Sequence, residues 1–219
     1  MTVKVKICGV RTPAILEAAS RAGADLVGLM LVPESPRYLT LEEAGALADA
    51  ARGKIGTVAV LVDPDDALLD RVAEAVRPDL LQLHGSEAPE RVAAIKARVG
   101  LPVIKAIAVA DAGDVAAAKA YAGIADHILF DAKPVPGAVL TGGNGVPFDW
   151  RALAAATAPF ALSGGLDPDN VGEAIRLTGA TLVDVSSGVE KARGVKDETL
   201  IKGFVQAVRR ADQEQAKAS

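Results

Sequence analysis

Strand and helix patterns alternate along this chain about eight times, with no composition break between units, and that rhythm restricts it to a parallel sheet covered by helices. Short runs rich in Val, Ile and Leu at 3–7, 25–31, 56–62, 79–83, 102–107, 126–130, 159–162 and 181–185 read as strands. Segments at 13–22, 41–51, 65–76, 88–98, 111–121, 150–156 and 168–178 read as helices, and an amphipathic helix over 197–211 follows the last strand. Thr12 caps the first helix and Pro13 occupies its first turn. Three strands are introduced by one turn signature: Gly23-Ala24-Asp25, Arg77-Pro78-Asp79 and Gly123-Ile124-Ala125-Asp126.

So short and regular a period predicts a single α/β domain over residues 1–219, a (β/α)8 TIM barrel, rather than an open doubly wound sheet. An open sheet would carry a dinucleotide fingerprint after its first strand, and Gly9-Val10-Arg11 is not one. The polar tail after about residue 212 is expected to fray. Half of the chain is hydrophobic but only 3% is aromatic, so the core has to be built from Ala, Val, Leu and Ile. A net charge of −4 gives no general attraction to nucleic acid or an anionic membrane. No apolar run approaches the ~20 residues of a membrane span. A single cysteine rules out an internal disulfide and fits a reducing compartment, so the chain reads as cytoplasmic, a monomer or homodimer.

In a barrel of this kind the chemistry collects where strands end and the following loops begin. Cys8 stands there on the first strand, and the position alone leaves it either an inert buried thiol or a working one. Val32-Pro33-Glu34-Ser35-Pro36-Arg37 is a loop stiffened by two prolines, ending in a guanidinium suited to gripping a carboxylate or to a surface salt bridge. Asp131 ends the sixth strand, where apolar walls would raise its pKa and make it a general acid; the other reading is a helix-cap or ion-pair aspartate, for which the following loop offers no obvious partner except Lys133. Glycine segments follow strands six, seven and eight: Gly142-Gly143-Asn144-Gly145, Ser163-Gly164-Gly165 and Ser186-Ser187-Gly188. Glycines let a backbone approach a ligand, and the ends of strands seven and eight are the usual phosphate seat of a barrel. His84 is placed to line the pocket, whereas His127 sits at the opposite end of its strand and is given no role. Trp150 is expected to pack its helix against the barrel, and no side-chain spacing suggests a metal site.

Several of these segments form an ordered set. Lys6-Ile7-Cys8-Gly9, Ser35-Pro36-Arg37 and Gln82-Leu83-His84-Gly85 come first. Gly142-Gly143-Asn144-Gly145 with Phe148-Asp149-Trp150, Leu162-Ser163-Gly164-Gly165-Leu166, and Asp184-Val185-Ser186-Ser187-Gly188-Val189-Glu190 follow. From Lys6 to about Asp197 the set resembles the phosphoribosylanthranilate isomerases of tryptophan biosynthesis. The resemblance implies a phosphoribosyl substrate, no cofactor, and an Amadori rearrangement of N-(5-phosphoribosyl)anthranilate to 1-(2-carboxyphenylamino)-1-deoxyribulose 5-phosphate. It implies Cys8 as general base, Asp131 as general acid and Arg37 as the grip on the anthranilate carboxylate. It also implies substrate contacts at His84, Gly143, Gly145, Gly164, Gly165, Asp184, Ser187 and Gly188. The chain departs from the family in carrying Leu29-Met30-Leu31 where aromatic residues are common, and in a lengthened loop over 134–140.

An aminoaldose-to-aminoketose isomerisation needs an acid at the ribose ring oxygen and a base at C2. For those roles the Cys8 thiol has to move down from its ordinary pKa and the Asp131 carboxyl up, or the two share one proton. Two other readings stand beside this one. The related isomerase of histidine biosynthesis carries an aspartate where this chain has Cys8, and needs a second phosphate site. A catalytically silent phosphosugar-binding barrel would have no use for Cys8 and Asp131 together.

Overall fold

Eight parallel strands each pair with the next: β1 (Lys4–Cys8), β2 (Leu26–Met30), β3 (Gly56–Leu61), β4 (Leu80–Leu83), β5 (Val103–Val109), β6 (His127–Ala132), β7 (Ala161–Leu162) and β8 (Leu182–Val185). β8 pairs back onto β1, so the sheet closes into the expected (β/α)8 barrel. The structure is a computed structural model that describes residues 2–133, 149–156 and 158–218. Outside the barrel lie α1 (Pro13–Ala22), α2 (Leu41–Ala51), α3 (Asp66–Ala75), α4 (Pro89–Val99), α5 (Ala112–Ala117), α6 (Val171–Thr178) and α7 (Glu198–Ala218). Among the described residues no helix is long and apolar enough to cross a membrane.

Strand alternation sorts the side chains into two cores. Val5 and Ile7 of β1 belong to the large layer between sheet and helices, together with residues such as Leu16, Leu69 and Phe204. A smaller cluster of Val58, Ile104, Ala106, Leu129 and Ala161, with Leu26, Leu80 and Leu182 against it, fills the barrel itself. Aliphatic side chains of this size plug the barrel without aromatic rings, as the composition demands.

The turn signature before β2, β4 and β6 has a definite use. Asp25 donates its N–H to the Val5 carbonyl at 2.9 Å and accepts the Val5 N–H on Oδ2 at 2.8 Å. Asp79 makes the same pair with Thr57, at 3.0 and 2.7 Å, and Asp126 with Val103, at 2.9 and 2.8 Å. Each aspartate thus clamps the start of an even strand to the odd strand before it. Gly23, Arg77 and Gly123 supply the left-handed turn that precedes it, with φ of 87°, 51° and 74°. Ahead of β8, Thr181 takes the position and bonds to the Phe160 carbonyl instead.

The structure departs from the sequence reading in five places. The helix expected over 111–121 tightens after Ala117 into a 3₁₀ segment, Ala118–Tyr121, and the one over 150–156 is 3₁₀ throughout, Trp150–Ala155. The helix expected from 168 starts at Val171, because the Asp167 carboxylate holds the N–H groups of Asp169 and Asn170 in a turn. The tail expected to fray after 212 continues α7 to Ala218: Asp212 receives the Val3 N–H and Glu214 pairs with Arg176. The periodicity also gave no sign of a short antiparallel hairpin, β9 (Glu190–Ala192) with β10 (Val195–Lys196), that follows β8.

Asp79→Ala tests the clamp. It strands the buried Thr57 N–H and hydroxyl at the end of the barrel remote from the cleft described below. Urea unfolding is expected to show a loss of about 1–3 kcal/mol, with turnover unchanged in the folded fraction.

Candidate active site

Backbone geometry at the carboxyl ends of the strands explains why the motif residues meet. Gly9 follows Cys8 with φ of 79°, and a Cβ there would lie 2.5 Å from Cδ of Arg37. The glycine therefore lets the arginine stem cross the end of β1 beside the cysteine. At the end of β7, Gly164 takes φ of 90°, and a Cβ would lie 2.5 Å from the Ala132 nitrogen. Gly188 is required for a different reason: a Cβ on it would run into the Leu166 carbonyl, so the loops after β7 and β8 can touch only at a glycine.

These approaches shape a cleft at the mouth of the barrel. Cys8, Arg37, His84, Asp131, Gly164, Gly165, Asp184 and Ser187 all line it. Eight positions singled out in the sequence thus come together. Gly188 is where the loop after β8 meets the Leu166 backbone beside this cleft. Gly143, Gly145 and the lengthened loop over 134–140 lie outside the described residues.

Arg37 is only 4% exposed and is gripped by Glu190, Nε to Oε1 at 2.7 Å and Nη2 to Oε2 at 3.0 Å. Glu190 also receives Lys196 Nζ at 2.6 Å and the Gly194 N–H at 3.0 Å. The β9–β10 hairpin is thus a strap whose acid fixes the arginine. A guanidinium carries five N–H groups, so with this edge occupied the Nη1–Nη2 edge remains for a ligand carboxylate. Burial alone would push the Glu190 carboxyl up, but Arg37, Lys196 and the Gly194 N–H hold it down at about 2.

Asp131 is paired with His84, Oδ2 to Nε2 at 3.1 Å, and its Oδ1 receives the Ala132 N–H. Lys133, the one partner the loop offered for an ion-pair aspartate, points instead to Asp114 at 3.6 Å. His84 is itself held at Nδ1 by the Gln82 amide at 2.9 Å, so its ring is oriented toward the aspartate. Gln82 went unnoticed as a site residue because, between Leu81 and Leu83, it reads as an ordinary alternating strand position.

The thiol of Cys8 runs against expectation. Burial pushes its pKa up; Lys6 and Lys196 pull it down and Asp184 pushes it further up, with burial prevailing. Lys6 is wholly buried and donates to Asp184 Oδ2 at 2.9 Å; the sequence placed it in the Lys6-Ile7-Cys8-Gly9 segment without a role. Asp184 Oδ1 is buried without a partner among the described residues.

Comparison with known proteins follows this geometry. Residues 5–207 match the family model described as N-(5'phosphoribosyl)anthranilate (PRA) isomerase. The N-(5'-phosphoribosyl)anthranilate isomerase of Mesorhizobium japonicum is 52% identical over 218 residues, covering 99% of this chain and 100% of its own. A crystal structure of monomers generated from the dimeric phosphoribosylanthranilate isomerase of Thermotoga maritima superposes with a TM-score of 0.82 at 32% identity, over 95% of this chain and 100% of that one. A phosphoribosyl anthranilate isomerase in complex with reduced 1-(o-carboxyphenylamino)-1-deoxyribulose 5-phosphate gives the same score, identity and coverage.

Glu190 makes a pH prediction. Its folded pKa is depressed, so its stabilising effect is present above the ordinary carboxylate value and is lost as the pH falls through the folded one. The urea midpoint of the chain should decline between about pH 4.5 and pH 2, and that of Glu190→Gln should be flatter over the same window.

Proposed function

The chain belongs to the N-(5'-phosphoribosyl)anthranilate isomerase family, and on that premise we propose how its own residues divide the reaction. The enzyme catalyses the Amadori rearrangement of N-(5'-phosphoribosyl)anthranilate to 1-(2-carboxyphenylamino)-1-deoxyribulose 5-phosphate, a step of tryptophan biosynthesis. One observation carries the assignment of roles. The only cysteine of the chain and the β6 aspartate border the same cleft from the carboxyl ends of their strands.

Asp131 gives a proton to the ribose ring oxygen while the anthranilate nitrogen lone pair closes on C1, so the C1–O bond breaks and a protonated imine forms. Cys8, as thiolate, takes the proton from C2; the electron pair left behind closes the enamine, whose enol form then passes to the ketone. Each of the two proton transfers contributes roughly 10²–10⁴-fold. His84, held by Gln82, keeps Asp131 oriented toward the cleft.

The substrate spans the mouth between two anchors. Arg37 takes the anthranilate carboxylate on the guanidinium edge that Glu190 leaves open. The phosphate rests on the loops after β7 and β8, where Gly164, Gly165 and Ser187 line the cleft and neither Ser163–Gly165 nor Ser186–Gly188 carries a lysine or arginine; backbone N–H groups supply the contacts. Asp184 Oδ1, buried and unpartnered at the cleft wall, accepts a ribose hydroxyl. A catalytic free thiol favours a reducing compartment, and we read the protein as a cytoplasmic single-domain enzyme, monomer or homodimer.

Two variants check this reading by following the loss of substrate fluorescence. Cys8→Ser should keep the fold and lose roughly 10²–10⁴-fold in kcat; near-normal turnover would reject Cys8 as base. Arg37→Lys keeps a cation beside Glu190 and removes the fork. It should weaken a carboxylate-bearing product analogue by about 10-fold or more, and leave an analogue without the carboxylate unaffected.

A further inference from the structure

Lys6 is a fully buried cation that the roles above do not use, and it does not line the cleft. It lies two positions before Cys8 on β1, so both side chains point into the barrel. Gly28, the β2 partner of Cys8, makes room for the two of them. A Cβ at Gly28 would lie 2.8 Å from Cys8 Sγ and 3.3 Å from Lys6 Nζ, so sulfur and ammonium share the space that a larger residue would fill.

We propose that Lys6 is a positioning residue that acts through Cys8, its ammonium serving as the counter-charge that lets the thiol give up its proton. The charged neighbours of the sulfur can be sorted by what else holds them. Lys196, from β10, spends its donors on the Ser186 carbonyl, the Ser186 hydroxyl and Glu190, and Glu190 neutralises it. Asp184, from β8, is an anion and opposes a thiolate. Lys6 donates to Asp184 Oδ2, which anchors the ammonium and leaves it donors for the sulfur beside it. From β2, uncharged Gly28 lies beside the sulfur and the ammonium, and Leu26 is the register partner of Lys6. Burial works against the ammonium, yet Asp184 and Cys8 outweigh it and keep Lys6 above the ordinary lysine pKa, so the cation persists where it is needed.

The proposal rests on Cys8 as the base, and its test is chosen to be independent of turnover. Because the chain has one cysteine, the ultraviolet absorbance that each protein shows in excess of its Cys8→Ser counterpart, which cancels the two tyrosines, reports that thiolate, and its pH titration can be read in the intact protein. Lys6→Met should move the titration to higher pH and cut the thiolate fraction at neutral pH by about tenfold or more. Asp184→Asn should move it to lower pH, because the same ammonium then acts unopposed. The double variant, with neither charge left alone, should titrate above the wild type and covers the case in which Lys6→Met fails to fold. Shifts of opposite sign in the two single variants, or a raised titration in the double, support the proposal. An unshifted thiol, or displacement of Asp184→Asn to higher pH as well, overturns it. A correctly shifted thiol with unaltered turnover in Cys8→Ser would instead remove the base assignment and leave the electrostatic pairing in place.

Discussion

The closure of β8 onto β1 is the constraint on which the rest of this molecule depends. Lys6 and Asp184 are direct register partners across that seam and meet as a buried ion pair. Breaking such a pair costs far more than the pair contributes, because the remaining charge has no access to water. The seam is therefore specified by charge as well as by backbone hydrogen bonds. It also brings Cys8 beside Ser186, whose hydroxyl donates to the Cys8 carbonyl at 3.2 Å. Without this join there is no cleft.

Around the join, positive and negative groups are arranged so that each has a stated counterpart. Arg37 and Lys196 share Glu190, Lys6 takes Asp184, and His84 takes Asp131. The hairpin that supplies Glu190 and Lys196 crosses back over the arginine loop, with Gly194 so close to Pro36 that a Cβ would lie 2.8 Å from its carbonyl oxygen. The arginine is accordingly pre-oriented before a ligand arrives, and the ordering of a long side chain is not left to the binding step.

The barrel was legible because alternation and turn residues repeat, and because all eight strands are short, aliphatic and separated by helices. The places of Cys8, Arg37 and Asp131 at the mouth were legible because each stands where a strand ends or in the loop that follows, and the ordered segments around them supplied the roles expected of them. Lys6, Gln82 and Glu190 stood inside the ordered segments, but their roles were not legible. Inside a narrow barrel, inward positions near the mouth accept polar side chains provided each finds a partner. That partner lies on another strand or beyond the last one, so no local pattern announces it. The downward shift expected for Cys8 failed for the same reason: burial is a property of the closed barrel and has no trace in the segment around the cysteine.

The seam also sets an order of events. Lys6 and Asp184 are 178 positions apart, so the contact between them is among the most non-local the chain can make. At ordinary rates of synthesis the ribosome takes on the order of ten seconds or more to span that interval. Throughout it Cys8 has emerged without Ser186, Asp184 or the hairpin to enclose it. For that time the future base is an ordinary free thiol on an unfinished sheet, open to oxidation that the closed barrel would exclude. The vulnerable moment of this enzyme falls before it is an enzyme, and its length is set by how late in the chain the eighth strand comes.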